Sequence, residues 1–256
     1  MSKSSTDLHW NERAVRESDA AAVNIADVSQ RELETAFLLQ HLRPDDKVLE
    51  VGCGNGFLTA IMRQAVAHVD AFDYAENMVA KAIELQAERN NRFFHDNLLQ
   101  PRAWRGPYDA IVCVRVLINL RDLAEQKQAI DRMTEALRPG GRLLLIEGYK
   151  DGFGELNRVR ERAGLDRLKP APINFYSALG DVRAHLDDAY TIDAEFHTGC
   201  FDFLTRVVYP ALVGADKAVG HGDFHRRILP VAGAFNPEAF APMARLRGYS
   251  LIKRSV

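Results

Sequence analysis

The sequence predicts an α/β fold in which helices cover both faces of a mostly parallel sheet. Short apolar strands alternate with amphipathic helices between residues 47 and 147, the spacing typical of βαβ units. The segment 109–114 is apolar on both faces, as expected of a central parallel strand. A glycine-rich turn, Gly52-Cys-Gly-Asn-Gly56, joins the first strand to the next helix. Together these features indicate an α/β fold that binds a ligand at the ends of its strands.

The elements before and within this core follow from apolar periodicity and from helix-start and turn residues. An alanine-rich stretch predicts a helix over 12–23, and Asp27-Val-Ser-Gln30 starts a second helix that continues to Leu42. Arg43-Pro-Asp-Asp is a turn, because proline and two aspartates break the helical pattern. Strands are predicted at 48–51, 68–72, 92–95, 109–114 and 142–147, and helices at 57–66, 76–89 and 123–137.

The pattern is less regular after Gly148. Helices are expected at 155–163, 177–187 and 200–213, with a strand near 190–196 and a last strand at 249–253. The stretch 214–238 is rich in glycine, proline and histidine and is expected to be a long insertion. Without a linker or repeat, the chain is expected to form one domain. Its parts would be an N-terminal helical cap (1–46), a ligand-binding core (47–147), and a region of insertions and terminal strands (148–256).

The composition excludes several classes of protein. The chain has 256 residues, 33 Lys and Arg against 35 Asp and Glu, and a net charge of -2, so it lacks the basic surface that nucleic-acid binding requires. No apolar run reaches the roughly 18 residues that would span a bilayer, and the first ten residues are polar. Three cysteines favour a reducing compartment, so we expect a cytoplasmic protein that is a monomer or homodimer and has no membrane partner.

The glycine turn predicts a nucleotide-type cofactor. Glycines at such a turn let a ligand approach backbone N–H groups at the positive end of the following helix. A dinucleotide fingerprint needs glycine at position 57, where Phe57 stands. Asp73 follows Glu50 by 23 positions (73 − 50) and ends the second strand, where a carboxylate can accept both ribose hydroxyls. Asp96 ends the third strand, where it can accept from an exocyclic adenine amine.

Five segments of the chain appear in a characteristic order. They are Val48-Leu-Glu-Val-Gly-Cys-Gly-Asn-Gly56, Phe72-Asp-Tyr-Ala-Glu-Asn-Met78, His95-Asp96, Tyr108-Asp-Ala-Ile-Val112 and Leu137-Arg-Pro-Gly-Gly-Arg-Leu-Leu-Leu-Ile-Glu147. This succession resembles the motifs of class I S-adenosylmethionine-dependent methyltransferases. The resemblance implies a Rossmann-like, seven-stranded, mostly parallel sheet with an antiparallel last strand, helical lid insertions, and S-adenosyl-L-methionine as cofactor.

The resemblance also assigns cofactor-binding roles to individual residues. It places the glycine turn around the methionine moiety, with Glu50 facing the ammonium group, and it places Asp73 on the ribose. The remaining roles fall on Tyr74 and Met78 beside the sugar and adenine, Asp96 and Asn97 on the adenine, and Val114 and Arg115 on the floor of the site. The turn residues so assigned are Gly52, Cys53, Gly54, Asn55 and Gly56.

The function expected from these features is transfer of a methyl group to a small-molecule acceptor, with an oxygen acceptor favoured, such as a natural product, a sugar or a carboxylate. Three alternatives stay open: N-methylation of a small amine, an NAD-dependent oxidoreductase, and a non-catalytic cofactor-binding partner protein. The charge balance disfavours RNA or DNA as the acceptor. An oxygen acceptor that is a hydroxyl would use a base, whereas a carboxylate acceptor would need cationic groups around it.

Candidate catalytic residues lie at the strand ends, where open α/β sheets bind their ligands. They are Arg115, Glu147, Tyr149 and His197. Asn157 and Arg160 are three positions apart on one helix face, where they could orient either an acceptor or a capping helix. His221-Gly-Asp-Phe-His225 lies in a glycine-containing loop without a further ligand cluster, so no metal site is expected. The segment around Trp10 precedes the first strand and could form a lid over the cofactor.

Overall fold

The structure is a computed structural model that describes residues 5–16 and 27–255. Its strands are β1 (Lys47–Val51), β2 (His68–Asp73), β3 (Asn91–His95), β4 (Tyr108–Val114), β5 (Leu137–Gly148), β6 (Tyr190–His197) and β7 (Leu246–Lys253). In the described residues these strands form one seven-stranded sheet in the order β3-β2-β1-β4-β5-β7-β6. Strand β7 runs antiparallel to both β5 and β6, and the pairs from β3 to β5 are parallel. The predicted fold class, with its antiparallel last strand, is confirmed.

Helices cover both faces of the sheet. They are α1 (Ser5–Arg16), α2 (Val28–Gln40), α3 (Phe57–Met62), α4 (Glu76–Gln86), α5 (Leu123–Ala136), α6 (Lys150–Arg162), α7 (Leu179–Ala189), α8 (Gly199–Phe203), α9 (Tyr209–Val213) and α10 (Asp223–Ala234). A π-helical segment, Leu204–Val208, joins α8 to α9, and two 3₁₀ segments lie at Leu117–Asn119 and Glu238–Met243. No helix in the described part of the chain has the length and apolar character needed to cross a membrane.

The core has two layers because successive side chains of a strand point to opposite faces of the sheet. Leu49 and Leu143 belong to the apolar cluster on one face, which includes residues of α5 and α7. Their chain neighbours Val48 and Leu144 belong to the cluster on the other face, which includes residues of α2 and α3. Burial on both faces explains why the central strands are almost wholly apolar.

Several elements differ from the prediction in their limits. Strand β5 begins at Leu137, because the segment Leu137-Arg-Pro-Gly-Gly141 already pairs with the start of β4. Helix α6 begins at Lys150 instead of 155. Helix α1 covers Ser5–Arg16, and the rest of the predicted 12–23 helix lies outside the described residues. The expected insertion 214–238 contains a regular helix, α10, in spite of Pro230 within it.

The order of the strands creates the crevice in which ligands of such sheets bind. Strand β1 pairs on one side with β2 and on the other with β4, so the chain direction of the connections reverses there. The carboxyl ends of β1 and β4 therefore diverge into loops that leave a gap between them. The sheet thus places the glycine turn after β1 opposite the segment after β4.

Candidate active site

A cavity of about 590 Å³ occupies this crevice. Segments from five parts of the fold surround it: α1, α2, the glycine turn, the ends of β2 and β3, and the segment after β4. Its wall includes ten of the residues that the sequence analysis selected: Glu50, Gly52, Cys53, Gly54, Asp73, Tyr74, Met78, Asn97, Val114 and Arg115. The predicted cofactor residues thus converge largely on one cavity of small-molecule size.

The glycine turn adopts a backbone that other residues rarely take. Gly52, Gly54 and Gly56 have φ angles of +70°, +54° and +78°. A Cβ atom on Gly52 would lie 2.5 Å from Cγ2 of Val116, so the turn after β1 packs closely against the segment after β4. Glycine is therefore required at position 52 by both backbone conformation and space.

Asp73 connects the glycine turn to the start of α4. Its Oδ2 accepts a hydrogen bond from the backbone N–H of Gly54 at 2.8 Å, and its Oδ1 accepts from Ala75 N–H at 2.8 Å. Removal from water raises the pKa of Asp73, and these two N–H groups oppose that shift. The carboxylate is thus fixed at the end of β2 with further lone pairs available to a ligand.

Glu50 is buried at the end of β1, beneath the glycine turn. Its Oε2 accepts a hydrogen bond from the Thr59 hydroxyl in α3. Burial raises the pKa of Glu50 to about 8, and the Thr59 hydrogen bond opposes this shift. A cationic ligand group in the cavity would favour the carboxylate form of Glu50.

The end of β3 contributes backbone and apolar surface to the cavity. Asp96 is buried and lies outside the cavity wall, and its carboxylate accepts hydrogen bonds from the N–H groups of Asn97, Arg102 and Ala103. It therefore shapes the loop from which Asn97, Leu98 and Leu99 line the cavity. Asn55 and Gly56 of the glycine turn are buried outside the cavity wall as well.

Arg115 follows β4 and has the only non-glycine φ in the left-handed region among the described residues, +55°. Its N–H donates to the carbonyl of Ile146 at 2.8 Å, which holds the start of this segment on β5. Its Nη2 lies 3.5 Å from Oε2 of Glu34 in α2, and its side chain is 21% exposed. In the described structure its Nε is buried without a hydrogen-bond partner.

Glu147 lies beneath the segment that carries these groups. Its Oε1 accepts hydrogen bonds of 2.7 Å from the N–H groups of Val116 and Leu117, and Oε2 accepts a longer one from Ile118. Burial raises the pKa of Glu147 to about 8, and these N–H groups oppose the shift. Glu147 is outside the cavity wall, where it anchors the segment after β4.

Tyr149 and His197 also lie outside the cavity wall. The Tyr149 ring is buried, and burial raises the pKa of its hydroxyl. His197 ends β6 at the far edge of the sheet, where its Nδ1 accepts from Gly199 N–H and its Nε2 lies 3.7 Å from Glu238. Burial lowers the pKa of His197. The structure therefore brings Arg115, but not these two candidates, to the cavity.

The polar residues of α6 and the histidines near α10 have partners of their own. Asn157 accepts from Leu168 N–H and donates to its carbonyl, and Arg160 donates to the carbonyls of Asp166 and Arg206. Both residues therefore fix α6 to the loop that follows it, and Arg160 also fixes α6 to the π-helical segment. The Nε2 atom of His225 is 2.9 Å from a guanidinium nitrogen of Arg206. Within the described ranges, no three His, Cys, Asp or Glu side chains converge as a metal site requires.

Two residues of α2 form a wall of the cavity that the sequence analysis missed. Arg31 and Glu34 are buried, three positions apart, and therefore on one face of the helix. The guanidinium of Arg31 lies 4.1 Å from the ring centroid of Phe57, the first residue of α3. Arg31 and Glu34 share the inward face of α2 with the apolar Leu38. A prediction based on apolar periodicity alone does not assign charged residues to that face.

The expected N-terminal lid lies over the cavity. Trp10 of α1 lines it, and its indole Nε1–H donates to Oδ1 of Asn119 at 3.3 Å. The side-chain oxygen of Asn11 accepts a hydrogen bond from the backbone N–H of Asn77, and the backbone carbonyl of Asn11 accepts one from the Asn77 side-chain amide. These bonds fix α1 to α4. Helix α1 therefore connects the side of the cavity after β2 with the segment after β4.

Comparison with known proteins agrees with this geometry. Residues 48–141 match the family model of a methyltransferase domain. The ubiquinone/menaquinone biosynthesis C-methyltransferase UbiE of Methylococcus capsulatus is 30% identical over 165 residues, which is 61% of this chain and 62% of that protein. The chain spans between 40 and 62% of the length of the first curated relatives it matches.

Solved structures share the fold at low sequence identity. The N-methyltransferase NodS from Bradyrhizobium japonicum, in complex with S-adenosyl-L-homocysteine, has a TM-score of 0.60 at 16% identity, over 98% of this chain and 100% of its own. Magnesium protoporphyrin IX methyltransferase from Synechocystis, with the same bound product, has a TM-score of 0.59 at 20% identity, over 98% and 95%. Residues 48–141 thus form a methyltransferase domain, and the strand order is the one that the resemblance to class I S-adenosylmethionine-dependent methyltransferases implies.

Proposed function

We propose that this chain is an S-adenosylmethionine-dependent methyltransferase that acts on a small-molecule acceptor, with oxygen as the favoured acceptor atom. The observation that carries the proposal is the meeting of the glycine turn, Asp73 and the wall formed by Arg31 and Glu34 of α2 in one cavity. A cofactor with a nucleoside at one end and an amino acid at the other matches this distribution of groups. The domain match and the sheet order support the same conclusion.

The nucleoside fits the side of the cavity formed by β2 and β3. Asp73 would accept from the two ribose hydroxyls while it keeps its bonds to the backbone of Gly54 and Ala75. Met78 is buried beside it, and Leu98 and Leu99 provide apolar surface for an adenine ring. The contribution of Asp96 and Asn97 is then mainly to shape the loop that holds the ring.

The amino-acid end fits the side formed by the glycine turn and α2. Glu50, with its raised pKa, would gain a cationic partner in the ammonium group, and the pair would ionise it. Arg31 lies over Phe57 at the start of α3, close to the turn, where its guanidinium would bind the carboxylate. The two ends of the cofactor would thus meet groups of complementary charge.

When bound, the cofactor supplies a methyl group that its sulfonium already activates, so the chain's main task is to align the acceptor with it. Glu34 lines the acceptor side of the cavity and can take a proton from a hydroxyl as the methyl group arrives. Trp10 lies over part of the cavity, where it would shield the reacting atoms from water. Glu147 does not line the cavity and would act only as a positioning residue, because its carboxylate holds the segment that carries Val116 and Ile118.

The cavity volume of about 590 Å³ and the net charge of -2 favour a small acceptor over a nucleic acid. The Glu34 carboxylate in the cavity wall can remove the proton of a hydroxyl acceptor, which favours oxygen as the acceptor atom. A cytoplasmic location and a monomeric or homodimeric state stay predictions from the sequence.

Calorimetric titration of the purified protein tests this proposal. We expect S-adenosylhomocysteine to bind at one site per chain and NADH not to bind, and the reverse preference would favour an oxidoreductase. The Arg31→Met variant should weaken S-adenosylhomocysteine about tenfold or more and leave 5′-methylthioadenosine, which lacks the amino-acid carboxylate, within about twofold. Equal losses for both ligands would contradict the position assigned to Arg31.

Catalysis is tested separately by methyl transfer from labelled S-adenosylmethionine. A panel of phenols, hydroxy acids, carboxylates and amines should yield product with an oxygen acceptor. Binding of the cofactor without transfer to any class of acceptor would favour the non-catalytic partner protein. Transfer only to amines would overturn the oxygen preference and keep the methyltransferase assignment.

A further inference from the structure

Arg115 combines a left-handed backbone conformation with a guanidinium whose Nε has no hydrogen-bond partner in the described structure. Its φ of +55° is unusual for a residue with a Cβ and costs on the order of 1 kcal/mol. Strained backbone of this kind is found preferentially where a side chain must be aimed at a ligand. The segment continues into Leu117–Asn119, and the carboxylate of Glu147 holds it in place.

The guanidinium of Arg115 has donors to spare. Its Nε is buried and has no hydrogen-bond partner in the described structure, and its contact with Glu34 is a distant 3.5 Å. Glu34 does not move closer because Gln30 donates to its Oε1 at 2.8 Å, and Gln30 in turn accepts from Arg245 at 2.8 Å. Buried donors normally have partners, so this one indicates an acceptor group that enters with a ligand.

The position of Arg115 separates it from the cofactor groups. The cavity receives Arg31 from α2 over Phe57, beside the glycine turn, and Arg115 from the segment after β4. If Arg31 binds the carboxylate of the cofactor, Arg115 is the less exposed of the two arginines that the cavity wall still offers to a second ligand, because Arg121 is 81% exposed and paired with Glu125. An arginine fork recognises carboxylates and phosphates with two parallel hydrogen bonds.

We propose that the methyl acceptor carries a carboxylate or phosphate group and that Arg115 binds this oxyanion. The inference rests on the proposed function, since it assigns the second ligand of the same cavity. Glu34 lies 3.5 Å from the guanidinium, and its carboxylate would compete with the oxyanion for Arg115. An acceptor with this charge also gains from the neighbouring positive sulfonium.

Calorimetry with benzoate and its uncharged isostere benzamide tests the proposal, with phenyl phosphate as the phosphate probe. Each is titrated into the free protein and into the protein saturated with S-adenosylhomocysteine. We expect benzoate to bind at least about tenfold more tightly than benzamide. In Arg115→Asn, whose asparagine tolerates the left-handed backbone, this preference should fall to within about twofold. Arg115→Lys should restore part of it, because the charge remains without the fork.

Two further variants separate specific binding from general electrostatics. Arg121→Met removes a cation from the same cavity wall, but its side chain is 81% exposed and paired with Glu125, so the benzoate preference should remain. Glu34→Gln should strengthen benzoate about threefold or more, because a competing carboxylate is lost. Equal loss in Arg121→Met and Arg115→Asn would overturn the assignment of the oxyanion to Arg115.

Three other results would contradict the inference. The first is a wild type that binds neither benzoate nor phenyl phosphate more tightly than benzamide. The second is a preference for benzoate that survives in an Arg115→Asn protein with native thermal unfolding. The third is a tenfold loss of affinity for S-adenosylhomocysteine in Arg115→Asn with the benzoate preference intact. The last would assign Arg115 to the cofactor. Failure of the wild type to bind S-adenosylhomocysteine would instead refute the proposed function, and the titrations of the free protein would still report on the oxyanion.

Discussion

Asp73→Asn removes the carboxylate charge that we propose faces the ribose hydroxyls, and it leaves the volume of the side chain almost unchanged. In the wild type both carboxylate oxygens accept a backbone N–H, from Gly54 and Ala75, at 2.8 Å each. An asparagine offers one oxygen, so its amide N–H₂ would face one of those N–H donors. A hydrogen bond to a charged group contributes about 1.5–3 kcal/mol, and two ribose hydroxyls depend on this carboxylate. Because one oxygen remains, we expect a net loss of about 2–4 kcal/mol.

This loss corresponds to S-adenosylhomocysteine binding roughly 30- to 700-fold more weakly, which calorimetry measures directly. Glu76→Gln is the matched control, since it removes the same charge from the first turn of α4, where the side chain is 71% exposed and outside the cavity wall. Its affinity should stay within about twofold of the wild type. An Asp73→Asn protein with normal thermal unfolding and an affinity within threefold of the wild type would refute the reasoning.

Three other predictions follow from contacts of the site and the lid. Trp10→Phe keeps an aromatic ring but loses the hydrogen bond to Asn119. Stopped-flow dissociation of S-adenosylhomocysteine should therefore be about 2- to 10-fold faster. An unchanged rate would show that this hydrogen bond does not hold α1 over the ligand. In the folded protein the pKa of Glu50 is about 8, above its ordinary value of 4.5. Protonated Glu50 therefore contributes to the stability of the ligand-free protein fully below pH 4.5, and this contribution is lost as the pH rises through 8. Chemical denaturation at pH 5 and 8.5 should show a smaller difference in Glu50→Gln, and an equal difference would contradict this. In Gly152→Ala the new methyl would lie 1.7 Å from the Ala244 carbonyl oxygen, so the thermal midpoint should fall by several degrees, and an unchanged midpoint would refute the packing of α6.

The sequence was sufficient to predict the sheet and to place many of the proposed cofactor residues at one cavity. Strands buried on both faces produce continuous apolar runs, and the glycines at 52, 54 and 56 all require positive φ. Asp73 was predictable because it ends a strand next to the glycine turn, and sheet order brings consecutive strand ends together. These features depend on local patterns, which a sequence displays directly.

The proposed acceptor side of the cavity depends on contacts between distant segments and could not be predicted in the same way. Glu34 and Arg115 are 81 positions apart (115 − 34), and their approach requires the position of α2 over the sheet. Glu147 and His197 were both selected as polar strand ends, but one lies under the segment after β4 and the other at the far edge of the sheet. Position along the chain does not distinguish a strand end that faces the crevice from one that does not.

A crystal structure of the protein with S-adenosylhomocysteine tests the central claim most directly. We expect the ribose hydroxyls within about 3 Å of the Asp73 carboxylate and the amino-acid end between Glu50 and Arg31, with Arg115 facing the space next to the sulfur atom. Binding of the ligand elsewhere, or in this cavity with its nucleoside against α2 and its amino-acid end at Asp73, would contradict it.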